Sequence, residues 1–154
     1  MTGSFLIKQT YDKKVVDLKG NQFAKLIQSA SAFICAAGFE TRAEQVPLAA
    51  KVARNPIVVA FANGPTENDK AFEKFAKKFE KIPGYDVCQL DLAQVEKFES
   101  SFESSLRQLR NFEGARLVID ISGLPNFAIC ITVMKVRQVF PTAILTLLYT
   151  EAEE

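Results

Sequence analysis

The sequence predicts an α/β fold built on a mainly parallel sheet of five strands. Short apolar runs alternate with amphipathic segments that are long enough for helices, as in repeated strand–helix–strand units. Gly, Pro or Asn residues punctuate most of these segments, and the 154-residue chain has the length of one domain. These observations predict a single three-layer Rossmann-like or flavodoxin-like domain over residues 1–154.

The predicted elements alternate regularly after a less regular start. Residues 1–28 form an N-terminal extension, with a β-hairpin followed by a helix that carries Phe23, Leu26 and Ile27 at helical spacing. Strands are predicted at 32–37, 57–61, 85–92, 117–121 and 143–149. Helices are predicted up to about residue 54, over 72–82, from 95 to Gly114, and over 127–140, with Pro125 in the first turn of the last helix. That last helix is almost wholly apolar, which predicts a buried helix.

The composition excludes several classes of function. The 19 basic and 18 acidic residues nearly cancel, so nothing favours long nucleic acid or an anionic membrane as a partner. There is no histidine, which excludes His-based catalysis and most zinc chemistry. The longest apolar segment carries Lys135 and Arg137 and is shorter than the roughly 20 residues of a membrane span.

The cysteines indicate a reducing compartment. Cys35, Cys88 and Cys130 are far apart in apolar stretches without a C-x-x-C pair, which favours three small core residues over ligands or nucleophiles. No signal peptide is visible, and we expect a cytoplasmic protein. The chain stops directly after an apolar strand, which fits both a natural terminus and the N-terminal domain of a longer protein.

Polar residues follow every predicted strand, and the carboxyl ends of parallel strands share one edge of a sheet. That edge is the expected ligand site. Asp120 interrupts the most apolar strand near its end, where a buried carboxylate is costly unless something pairs with it. The candidate ligand-binding residues are Glu40, Thr41, Arg42, Asn63, Ser122, Gly123, Asn126 and Thr150. Because loops and helix caps favour polar residues in any protein, a purely structural role is the alternative for each of them.

Glu40 and Arg42 are the pair of candidates whose chemistry is most specific for a ligand. The planar guanidinium of Arg42 suits a phosphate or a carboxylate, and Glu40 suits a ribose hydroxyl, a base in catalysis or the orientation of Arg42. An exposed ion pair is the structural alternative. Gly123 and the N–H groups of the helix after it could hold a phosphate. Neither P-loop nor dinucleotide fingerprint is present, and the single carboxylate of Asp120 is weak support for magnesium. We therefore expect no metal or cofactor.

The segment I-D-I-S-G-L-P-N-F, from Ile119 to Phe127, resembles the corresponding strand, turn and helix of CARF domains, which sense cyclic oligoadenylates in CRISPR-associated proteins. The resemblance implies a Rossmann-like layout and ligand contacts from Ser122, Gly123, Asn126 and the turn 38–42. This chain departs from the family in having one glycine and no lysine in the turn 122–126. G-F-E-T-R, D-I-S-G-L-P and Y-T-E-A also look similar to segments of uncharacterised bacterial proteins, some of them associated with phage defence.

Two classes of function remain open, beside a third interpretation as a protein-interaction module without a ligand. The leading one is a nucleotide-sensing domain of a bacterial defence or regulatory protein, with a small and sometimes cyclic nucleotide as ligand. The resemblance further implies a symmetric homodimer with ligand at the two-fold axis, for which the helix after Asn126 is a candidate interface. The alternative is an enzyme that cleaves N-glycosidic bonds in nucleosides or NAD, similar to TIR or deoxyribosyltransferase domains, with Glu40 or Glu151 as the catalytic carboxylate.

Overall fold

The computed structural model of the chain describes residues 21–36, 57–63, 86–91, 94–109 and 114–150, together with the single positions 73, 77 and 80. Several predictions therefore lie outside the described residues: the N-terminal hairpin, the helix ending near residue 54, and all but three positions of the helix over 72–82. The candidate site residues Glu40, Thr41, Arg42 and Glu151 also lie outside them.

Strands and helices alternate along the described part of the chain, which confirms the predicted α/β class. The helices are α1 (Asn21–Ser29), α2 (Val95–Gln108) and α3 (Asn126–Val139), and the strands are β1 (Ala32–Cys35), β2 (Ile57–Asn63), β3 (Asp86–Asp91), β4 (Arg116–Asp120) and β5 (Ile144–Leu148). Most predicted bounds agree within two residues. Two differ in kind: Asn63 ends β2 instead of lying in the turn after it, and α2 ends at Gln108, well before Gly114.

The five described strands form one sheet in the order β3-β2-β1-β4-β5, and every adjacent pair is parallel. The parallel sheet is thus confirmed. All four residues of β1 and residues Leu117 to Ile119 of β4 are fully buried, as expected for central strands that are covered on both faces. The middle of the sheet is therefore β1 beside β4, with Ile34 opposite Ile119.

Helices α2 and α3 pack beside each other over one face of the sheet. Phe98 and Phe102 of α2 are fully buried, and their stacked rings lie 5.5 Å apart between centroids, so these phenylalanines are core residues. Lys135 of α3 reaches Glu99 and Glu103 of α2 at 3.5 and 3.4 Å. A common apolar core and a surface ion-pair cluster thus join the two helices.

Helix α3 is only partly buried, so the prediction of a buried helix was wrong. Its fully buried residues are Ala128, Thr132 and Val136, spaced four apart along one narrow stripe. Met134 is 70% exposed, and Cys130 is exposed as well, which corrects the expectation that all three cysteines are core residues. No helix of the described part of the chain has the length and apolar character needed to cross a membrane.

Candidate functional site

The strand order creates a topological switch point between β1 and β4. From β1 the chain moves outward to β2 and β3, and it then returns to β4 on the other side of β1. In open parallel sheets, ligands bind outside the carboxyl ends of the strands at such a point. The carboxyl ends here are Cys35 of β1 and Asp120 of β4, and the region beyond them is the candidate site.

Asp120 anchors the turn that leaves the sheet at this point. Its carboxylate is 1% exposed, and Oδ1 accepts hydrogen bonds from the backbone N–H of Ser122 at 3.0 Å and from its hydroxyl at 2.5 Å. A carboxylate that accepts a backbone N–H two residues ahead closes an Asx-type turn. The expectation that this buried acid would need polar contacts is therefore confirmed.

The hydroxyl of Ser122 also joins this turn to the end of the neighbouring strand. Its oxygen accepts a hydrogen bond from the backbone N–H of Thr150 at 2.8 Å, and Ile121 donates its N–H to the carbonyl of Leu148 at 2.9 Å. Ser122 is 6% exposed, with its proton engaged by Asp120. These contacts, which we call the Asp120–Ser122–Thr150 clamp, fix the geometry of the corner where β4 and β5 end.

Helix α3 begins directly after this turn, and no side chain caps its first backbone N–H groups. Pro125 is the N-cap, directly before the first turn in which it was predicted to lie. The first intrahelical bond is Ile129 N–H to Pro125 O at 3.1 Å, which leaves the N–H groups of residues 126–128 outside the helical pattern. The first turn also has no acidic side chain. An anion or a polar oxygen would find the N–H groups of the exposed residues Asn126 and Phe127 and the positive end of the helix dipole here, whereas Ala128 is fully buried.

Cys35 at the end of β1 is fully buried beside Asp120, as the sequence predicts for a core residue. Burial raises the pKa of its thiol well above the usual range, and the negative charge of Asp120 raises this pKa further. The thiol is therefore a neutral, unreactive group at neutral pH. The register of β1 and β4 pairs Ile34 with Ile119 and so brings the next residues, Cys35 and Asp120, beside each other. This register could not be read from the sequence alone.

The structure brings four of the predicted ligand-binding residues to one corner: Ser122, Gly123, Asn126 and Thr150. Ser122 and Gly123 form the turn, Asn126 opens α3, and Thr150 follows β5 and contributes its backbone N–H. Asn63 lies at the same edge of the sheet but at the end of β2, two strands from β4 and thus about 10 Å away. Within the described ranges, no group of three or more acidic or cysteine side chains is arranged to hold a metal ion.

No protein-family model matches this chain, and no curated protein or solved structure is significantly similar to it.

Proposed function

We propose that this chain is a Rossmann-like nucleotide-binding domain that acts as a sensor, with its ligand across the carboxyl ends of β1 and β4. The observation that carries the proposal is the position of the clamp: Asp120, Ser122 and Thr150 fix the turn at the switch point itself. The order β3-β2-β1-β4-β5 of the described strands supports the Rossmann-like assignment, since it corresponds to five positions of the doubly wound order 3-2-1-4-5-6 and not to the flavodoxin order 2-1-3-4-5.

The donors at the start of α3 support a phosphate as part of the ligand. Because the exposed residues Asn126 and Phe127 offer backbone N–H groups at a helix start without a capping side chain, a phosphate oxygen would replace the missing cap. The negative charge of the buried Asp120 carboxylate opposes a phosphate at this turn, so binding requires that the helix N–H groups and a cation such as Arg42 outweigh this repulsion.

Arg42 and Glu40 complete the proposed site from the other strand. Both residues lie outside the part of the chain that the structure describes, in the segment that follows Ala36, the residue after β1. Arg42 is six residues beyond Ala36, a stretch that spans at most about 20 Å, so the chain allows Arg42 to reach this end of the sheet. In the proposal Arg42 binds a second phosphate or the same one, and Glu40 binds a ribose hydroxyl or orients Arg42.

The proposal is tested by calorimetry and thermal shift with mono-, di- and cyclic nucleotides, nucleosides and NAD, followed by mass spectrometry of the products. A ligand at a hundred times its dissociation constant stabilises the protein by about 2.7 kcal/mol. We expect an intact nucleotide to stabilise the protein, and we expect Arg42→Ala to lower the affinity for that nucleotide by about tenfold or more. Arg107→Ala is the matched control, because Arg107 is exposed in the last turn of α2 and pairs with Glu103.

A pair of variants at Asn126 separates the backbone from the side chain. Pro is tolerated in the first helical position but has no N–H, and the extended conformation of Pro125 suits a following proline. We expect Asn126→Pro to weaken nucleotide binding more than Asn126→Ala while both variants keep their melting temperature. Equal affinities would exclude the helix start as the phosphate site.

The same assay tests the alternative functions. Release of a free base that disappears in Glu40→Gln or Glu151→Gln would replace the sensor with an N-glycosidic-bond-cleaving enzyme. The absence of any shift across the panel would refute nucleotide binding and leave a protein-interaction module.

A further inference from the structure

Strand β5 is an edge of the sheet formed by the described strands, and its register shows which backbone groups face outward. Ile144 donates its N–H to Ala115 O, and Leu148 accepts the N–H of Ile121. Because the pattern alternates in a parallel pair, residues 144, 146 and 148 bond to β4, whereas Leu145 and Leu147 point their N–H and C=O groups away from it. Within the described residues these outward groups have no hydrogen-bond partner.

This edge lacks the features by which proteins normally protect an edge strand. Charged side chains, prolines and bulges usually prevent unwanted pairing there, but the strand reads I-L-T-L-L and contains none of them. Ile144 is 54% exposed and Leu147 is 50% exposed, and Tyr149 just beyond them is also exposed. An uncharged, apolar edge strand with outward-facing N–H and C=O groups favours pairing with a further strand.

We propose that the occupant is a second copy of this chain, with β5 pairing antiparallel to β5 about a two-fold axis at Thr146. In this register Leu145 of each copy lies opposite Leu147 of the other copy. Each of these two pairs exchanges both backbone hydrogen bonds, which gives four in total. The two Thr146 residues meet at the axis as a non-hydrogen-bonded pair, and the sheets of the two copies join into one.

The sequence of the strand suits pairing with itself. The segment from Ala143 to Thr150 carries no charge, so the symmetric register places no like charges opposite each other, and a central Thr–Thr pair is favourable across strands. Three exposed apolar side chains lie on β5 and just after it: Ile144, Leu147 and Tyr149. They expose on the order of 300 Å², under half of the roughly 800 Å² per partner of a standard interface, as expected for a weak dimer that forms with rising concentration.

This dimer would keep the two candidate ligand sites apart. Because the strands of the two copies run in opposite directions at the junction, the carboxyl end of one β5 lies beside the amino end of the other. The clamp of one copy then lies at one end of the strands of the joined sheet, and the clamp of the other copy lies at the opposite end. One ligand cannot bridge both copies at the two-fold axis, in contrast to the arrangement that the family resemblance implies. The dimer itself does not depend on the proposed nucleotide function.

Sedimentation of the full chain from about 1 to 100 µM tests the assembly. We expect a monomer–dimer equilibrium that Leu147→Lys weakens by about tenfold or more, since a lysine on the edge opposes strand pairing. Met134→Lys is the matched control: it adds the same charge on the exposed face of α3, outside the pairing register, and should have a smaller effect. Circular dichroism confirms that both variants are folded.

Disulfide trapping tests the register in a Cys130→Ser background, in which the remaining cysteines are buried. Across a non-hydrogen-bonded antiparallel pair the Cα atoms are about 4.5 Å apart, which lies within the range of a disulfide. Thr146→Cys should therefore form a covalent dimer under mild oxidation. Leu147→Cys should not, because the two copies of this position are diagonal neighbours about 7 to 8 Å apart.

Three results would overturn the proposal. A monomer at every concentration would show that a second copy does not pair with this edge. A dimer that persists in Leu147→Lys but is lost in Met134→Lys would place the contact on α3 instead. Cross-linking through Leu147→Cys without cross-linking through Thr146→Cys would exclude the symmetric register.

Discussion

Removing one hydroxyl should measurably destabilise the corner of the candidate site. In Ser122→Ala the carboxylate of Asp120 loses the donor at 2.5 Å but keeps the N–H of residue 122 at 3.0 Å. The backbone N–H of Thr150 loses its acceptor at 2.8 Å. No bulky group is removed, so the effect reports these two hydrogen bonds rather than a cavity.

The expected loss is about 3 kcal/mol. A hydrogen bond to a charged group contributes about 1.5 to 3 kcal/mol, and a neutral one contributes about 1 kcal/mol. Water cannot easily replace the lost donor, because Asp120 is almost fully buried. In a domain whose total stability is about 5 to 15 kcal/mol, this loss should lower the melting temperature by about 10 °C.

Equilibrium urea denaturation of the parent, Ser122→Ala and Ser100→Ala measures this difference. Ser100 is a matched control, because its exposed hydroxyl also donates a hydrogen bond, to the carbonyl of Glu96 at 3.0 Å. Its loss should change stability by less than about 0.5 kcal/mol. If Ser122→Ala costs no more than this control at an unchanged m value, the clamp does not stabilise the corner, and the reasoning is refuted.

Three further predictions concern other parts of the molecule. Gly114 has a φ of +72° and open space around its missing Cβ, so Gly114→Ala should cost about 1 kcal/mol through backbone strain alone, measured by urea denaturation. Because burial, with the charge of Asp120, raises the pKa of Cys35, stability should be fully present below about pH 8.5 and fall above it, less steeply in Cys35→Ala. Hydrogen bonds from Arg107, and secondly from Lys135, lower the pKa of Glu103, so its carboxyl pKa in an NMR titration should rise in Arg107→Ala.

The sequence predicted the described elements well wherever hydrophobic periodicity was strong. The apolar runs at Ala32–Cys35 and Leu117–Ile119 are buried strands, and the 3-4 spacing from Val95 to Leu106 produced α2. The end of α2 at Gln108 was predicted wrongly, because Gly114 is a strong signal for the end of a helix. Its left-handed conformation instead serves the turn before β4, where its N–H donates to Thr142 Oγ1 at 3.0 Å.

Exposure along α3 was predicted less well, for a physical reason. An almost wholly apolar helix looks buried on all sides, but residues at i, i+4 and i+8 suffice to pack it, as Ala128, Thr132 and Val136 do here. What covers the remaining surface depends on neighbouring elements and not on the helix sequence. Met134 is exposed for this reason.

The candidate site was predictable in position but not in its contacts. The rule that parallel strands end at one edge correctly grouped Ser122, Asn126 and Thr150. Strand order was not predictable, because no local pattern states which strands become neighbours, so the adjacency of Cys35 and Asp120 was missed. The contact from Thr150 uses a backbone N–H, which nearly every residue has, and side-chain patterns carry no information about it.

The clamp also links the turn before α3 to the end of β5, because the hydroxyl of Ser122 accepts the backbone N–H of Thr150. A ligand that shifts the turn at Ser122 must either carry Thr150 with it or stretch the 2.8 Å bond between them. Thr150 is two residues from the end of β5, and four residues of chain follow it. A movement of the turn that keeps this bond intact therefore also moves Thr150, and with it the end of the edge strand β5.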